Sequence, residues 1–227
     1  MNRTLLFLAS ASLAIAPAWA DSLADTFARM DRAARTFKGM SSGMDETSYT
    51  ALAKDTEVQS GAIKLKREKS GDIRTLIEFT KPQPQSVAFD GKTARVYYPK
   101  IKTVNVYDVA SKRDVLEQVL VLGFGATSAA VRADYDVTWI GPETIDGKPT
   151  GHLKLIPKSA EMKQRFQQAE LWISDALGVP LQQKFVTSKT GDYTQFTYTG
   201  LQLTPSLGDK DLQLKIPKDV QIKQVGR

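Results

Sequence analysis

Apolar and polar residues alternate along most of this chain. GAIKLKRE puts Ile63 and Leu65 on one face and Lys64 and Lys66 on the other. DIRTLIEFT puts Ile73, Thr75, Ile77 and Phe79 on one face. A period of two marks a strand with two unlike faces. The same reading gives strands at SVAFD, TARVYYP, TVNVYDV, DYDVTWIG, GHLKLIPK, AELWISD, GVPLQQKFVTS, DYTQFTYTGLQLT and DLQLKIP, with a weaker one over 45–54. Asp90-Gly91-Lys92, Asp146-Gly147-Lys148 and Leu177-Gly178 read as hairpin turns, and Lys81-Pro82-Gln83-Pro84 as a break.

The period changes in two places. In residues 21–38, Leu23, Phe27, Met30, Ala34 and Phe37 recur at helical spacing. Asp21 or Ser22 is the expected cap and Gly39 the expected stop. In 112–124, Val115, Leu116, Val119, Leu120 and Leu122 form a wide apolar face. Gly123 and Gly125 close that segment, and a second helical piece is expected over 128–133.

Residues 1–20 read differently: Arg3, then an uncharged apolar run from Leu5 to Ala16, then Ala18-Trp19-Ala20. This is the pattern of a secretory signal peptide cleaved after Ala20. The expectation is an exported chain with one domain over 21–227. The sequence contains no cysteine, so neither disulfides nor a lipidated N-terminal cysteine are expected.

Charge adds little to this. The formal net charge is +6 and the pI about 9.4, but the basic residues alternate with apolar ones, as on a solvated strand face. Nucleic acid is not an expected partner.

Catalytic chemistry is hard to find. His152 is the sole histidine and reads as a strand residue partly exposed to solvent. No Gly-x-Ser-x-Gly elbow accompanies it, and a lone histidine without cysteine makes a poor zinc shell. Gly123-Phe124-Gly125-Ala126-Thr127 lacks the Lys-Ser/Thr end of a phosphate loop. No metal, no cofactor and no enzymatic activity are expected. A carboxylate pair acting as a hydrolase would need two inward-facing carboxylates close together.

Geometry remains. An antiparallel sheet of about ten to eleven twisted strands curls on itself, and a shell that wide needs a plug or a ligand. The apolar faces of 22–38 and 112–122 must be buried, which lids over the open shell would achieve. A core filled with no ligand is the other outcome.

The order of these segments resembles the LolA family of periplasmic carriers of outer-membrane lipoproteins. The resemblance rests on GAIKLKRE, on DIRTLIEFTKPQPQSVAFDGKTARVYYPKIKTVNVYDV, on the mid-chain apolar segment and on the closing LKIPKDVQI. It implies a mainly β protein with helices, an unclosed β-barrel under a helical lid, as in LolA and LolB. It implies a cavity for lipoprotein acyl chains or lipid. The partners it implies are an inner-membrane releasing transporter and an outer-membrane receptor. The protein is expected to act as a monomer. It also implies an arginine that holds the lid shut in a Lys-Arg-Pro context, which here reads Lys66-Arg67-Glu68.

The candidate lining is then Ile63, Leu65, Arg67, Ile77, Phe79, Val87, Phe89, Val96 and Tyr98 on the strands, with Leu116, Val119 and Leu120 on the lid. A one-residue error in strand parity would invert that list. A carrier of free lipid and a lipid-sensing regulator are the alternatives on the same fold.

Overall fold

The computed structural model describes residues 22–110 and 121–225. Helix α1 (Leu23–Thr36) starts where Ser22 Oγ accepts the Asp25 N–H at 3.2 Å. Its apolar stripe buries Phe27 and Met30. Gly39 does not cap it. Gly39 opens the next strand, where a side chain would run into the Leu65 carbonyl oxygen at 2.3 Å.

Twelve strands follow in chain order: β1 (Gly39–Thr50), β2 (Asp55–Arg67), β3 (Ile73–Lys81), β4 (Gln85–Phe89), β5 (Thr93–Tyr98), β6 (Thr103–Asp108), β7 (Tyr135–Ile145), β8 (Lys148–Pro157), β9 (Gln168–Ser174), β10 (Pro180–Val186), β11 (Tyr193–Leu203) and β12 (Gln221–Val225). Among the described residues two short helices interrupt them, α2 (Ser128–Asp134) and α3 (Ala160–Lys163). The strands form one open sheet in the order β12-β6-β5-β4-β3-β2-β1-β11-β10-β9-β8-β7. Consecutive hairpins build both halves, and β1 joins them by pairing with β2 on one side and β11 on the other.

The sheet thus has twelve strands where ten to eleven were expected, and one pairing departs from the antiparallel pattern. DLQLKIP alternates but is not a strand. Its first part is a 3₁₀ turn (Asp209–Leu212), and the rest lies across the sheet with Leu212 and Leu214 buried. The last strand is instead β12, which runs parallel to β6. Alternation reports a chain with one buried side, and packing onto a sheet face satisfies it as well as a ladder does.

Two cores lie on the inner face, the side that carries α1. Phe27 and Met30 meet Leu153, Leu155, Leu171, Ile173 and Phe185, with Val131 of α2 and Met162 of α3 closing the edge. Phe37, Met40, Met44, Ile63, Leu65, Ile73, Phe79, Phe124 and Tyr198 form the second. A third lies on the outer face, where Leu76, Tyr97 and Val104 are covered by Leu212 and Leu214.

Candidate functional site: an apolar trough beside a plugged core

The segment 121–127 plugs the inner face. Val121 is half-buried, and Leu122 and Phe124 are buried. Phe124 meets Tyr198 edge-on at 5.2 Å between ring centroids and Phe37 at 6.3 Å. Gly123 and Gly125 take positive φ of 83° and 69°. Side chains there would overlap Pro180 and Phe37, so the plug needs glycine at both.

Gln183 is buried among these apolar groups, with a partner at both its amide nitrogen and its amide oxygen. Its amide donates to the Leu122 carbonyl, and its oxygen accepts the Tyr198 hydroxyl at 2.6 Å. Burial pushes the Tyr198 phenol well above its usual range, with the Glu46 charge adding to it. Past the plug, α2 is tied to α1 where Asp31 accepts the Ser128 N–H and hydroxyl at 2.7 and 2.8 Å.

Strand register places nine of the candidate residues on this inner face. Ile63 stands opposite Ile77, Ile77 opposite Val87, and Val87 opposite Val96. Leu65, Arg67, Phe79, Phe89 and Tyr98 share that parity by the two-residue period. They divide in two. Ile63, Leu65 and Phe79 are packed into the second core, and Phe89 is buried at the end of β4. Ile77, Val87, Val96 and Tyr98 are half-buried. With Tyr107 of β6 they form a mainly apolar wall running from β3 to β6, in which the Asn105 amide reaches the Tyr107 hydroxyl at 3.4 Å. Leu116, Val119 and Leu120 lie outside the described residues.

Arg67 faces inward at the junction of plug and wall. Its guanidinium donates to the Gly125 carbonyl at 3.5 Å and lies over the Phe37 ring, 5.6 Å from the centroid.

Toward one end the inner face turns polar. Glu46 and Gln59 stand opposite each other on β1 and β2, and Gln85 of β4 donates to Gln59 at 3.1 Å. Burial raises the Glu46 carboxyl above its usual range. A groove of about 450 Å³ opens here between Glu57, Gln59, Gln85, Tyr98, Lys100 and the Pro82–Pro84 loop. Among the described residues, no cluster of three or more metal-ligating side chains is arranged to hold an ion.

Two features escaped the sequence. The outer face of β3–β6 carries an apolar patch as well, Leu76, Tyr97 and Val104, so these strands are covered on both faces at that point. The signal was present in TLIEF and VYY, where apolar residues follow one another without alternation, as on a strand covered on both faces. The other is His152, which is buried and not half-exposed, held between two carboxylates.

The model of the family described as outer membrane lipoprotein carrier protein LolA matches residues 46–215, about three quarters of the sequence. The chain belongs to the LolA family. No functionally curated protein matches it. Among solved structures, an uncharacterized conserved protein from Thermus thermophilus superposes with a TM-score of 0.56 at 14% identity, over 90% of this chain and 99% of that one. MucB superposes with a TM-score of 0.53 at 16% identity, over 87% of this chain and 64% of MucB. MucB in complex with MucA(peri) gives 0.50 at 17% identity, over 90% of this chain and 63% of that one. The chain therefore spans just under two thirds of MucB. At these identities the likeness is one of fold.

Proposed function

We propose that this LolA-family protein is a periplasmic carrier that takes lipoprotein acyl chains into the β3–β6 trough. It would ferry them from the inner to the outer membrane without covalent chemistry. The observation that carries this reading is the half-buried row Ile77, Val87, Val96 and Tyr98, apolar and in register beside a core already filled by the plug. Burying ten methylenes of an acyl chain there is worth roughly 8 kcal/mol gross, at about 0.8 kcal/mol each.

The groove at the end of the trough mixes Val58, Ile101 and two prolines with Glu57, Gln59 and Lys100, which suits the part of an amphiphile where acyl chain meets water. Arg67 fits a holding role, since its bond to Gly125 is long and a ligand can displace it. Release then requires an acceptor that binds the acyl chains better. In this reading residues 1–20 are removed, 21–227 works as one monomeric domain, an inner-membrane transporter loads it and an outer-membrane receptor unloads it.

The test is a titration of the mature protein with a fluorescent fatty-acyl probe, followed by displacement with an acylated peptide or with free phospholipid. Displacement by the acylated peptide supports lipoprotein carriage. Displacement by phospholipid alone supports a free-lipid carrier or a sensor on this fold. An absence of probe binding rejects the trough as a ligand site.

A further inference from the structure

Far from the trough, on the outer face of β7–β9, the sole histidine is built into a closed polar network. His152 Nδ1 lies 2.8 Å from Glu143 Oε1, and Nε2 lies 2.9 Å from Glu170 Oε2. A carboxylate oxygen only accepts, so both ring nitrogens must carry hydrogen and the ring is an imidazolium. Trp172 stacks on it, 4.2 Å between centroids and 15° between planes, and donates its indole N–H to Glu143 Oε2 at 2.6 Å. Gln168 donates to Glu170 Oε1 at 2.7 Å.

The network spans three strands. Glu143 belongs to β7, the edge of the sheet, beyond the irregularity between Trp139 and Gly141 that interrupts its ladder with β8. His152 is on β8, and Glu170 and Trp172 are on β9. The other charged groups of this parity are Asp136 and Lys148 toward the two ends of the β7–β8 pair, Lys154, opposite Glu170 on β8, and Lys184, opposite Glu170 on β10. The two bonds described to the ring come from Glu143 and Glu170.

We propose that His152 is a proton-operated clasp on the edge strand: protonated, it reinforces the ladder that resumes from Gly141–His152 to Ile145–Lys148, and deprotonated, it loosens that far half of β7. Loss of the proton leaves one ring nitrogen with a lone pair facing a carboxylate. Glu143 is the partner that leaves, because its side chain is 45% exposed against 17% for Glu170 and can turn to water. Its departure also strips Trp172 of its acceptor. The clasp operates whatever ligand the trough takes.

Burial disfavours the charged ring, but the hydrogen bonds to Glu170 and Glu143 outweigh it and raise His152 above its usual 6.5. Glu143 is lowered from 4.5, chiefly by the Trp172 hydrogen bond, and Glu170 chiefly by that of His152. A raised histidine stabilises fully below 6.5 and loses its effect as pH rises through its folded value. Lowered carboxylates act above 4.5 and lose theirs as pH falls through their own. The clasp is therefore fully closed between these two values and opens on the alkaline side.

The experiment uses the full mature chain. Nitrogen NMR of the single histidine follows its protonation from pH 5 to 9. Hydrogen exchange, corrected for intrinsic rates, follows the amides of 140–146. The expected result is titration above 6.5 with about a tenfold loss of protection at 140–146 across it. Glu143→Gln should abolish that pH dependence while leaving fatty-acyl probe binding unchanged. Titration at or below 6.5, protection indifferent to pH, or an unchanged pH dependence in Glu143→Gln would each overturn the proposal.

Discussion

Arg67 on β2 and Gly125 in the plug, 58 residues apart, are joined by a hydrogen bond of 3.5 Å from guanidinium to carbonyl. The bond is at the long end of the useful range, and Phe37 beneath the guanidinium holds it in place. Arg67→Ala is expected to cost about 1 kcal/mol. More specifically, it should speed amide exchange at Phe124–Thr127 while the β8–β9 ladder keeps its protection. Hydrogen exchange read by mass spectrometry separates the two.

The Gln183 side chain carries a larger share of the plug's stability. Gln183→Leu leaves the Leu122 carbonyl and the Tyr198 hydroxyl buried without partners. The expected cost is about 2–4 kcal/mol in urea denaturation. Adding Tyr198→Phe removes one orphaned group, so the double variant should recover part of the loss.

Glu46 should make stability depend on pH in the direction opposite to a salt-bridged carboxylate. Its folded value is raised by burial, so the fold prefers the neutral acid and the charged form works against it above the usual 4.5. Glu46→Gln should raise the Tm at pH 7, and the gain should disappear at pH 3.5. Thermal melts at both values check this.

The strap over the outer face is a third core element. Leu212 is buried against Leu76, Tyr97 and Val104. Leu212→Ala should cost about 2–4 kcal/mol by cavity formation, measured by chemical denaturation. Fatty-acyl probe affinity should stay within twofold, because the trough is on the opposite face.

These cases show what the sequence made legible. Alternation marked Ile63, Ile77, Val87 and Val96 as one side of their strands, but which side faced inward was a choice of parity that only the register of the short hairpins fixes. Which of them would be packed and which left half-open was not legible. That depends on where Phe124 and Leu122 settle, and a plug that folds back from mid-chain leaves no periodic signature. The strap misled for a related reason: Leu212 and Leu214 alternate as in a strand, but their partners are a sheet face. Glu143, His152 and Glu170 lie on three strands, and only the register brings them together.

The trough itself is most directly tested by native mass spectrometry of the mature protein released gently from the periplasm, beside a Val96→Trp variant. Val96 is half-buried in the middle of the apolar wall, so an indole there fills the trough without opening the core. The account predicts a mass offset that extracts as acylated material from the parent protein and is lost from the variant, with the Tm of the two nearly equal. A parent protein that carries nothing and takes up no acyl probe would contradict it.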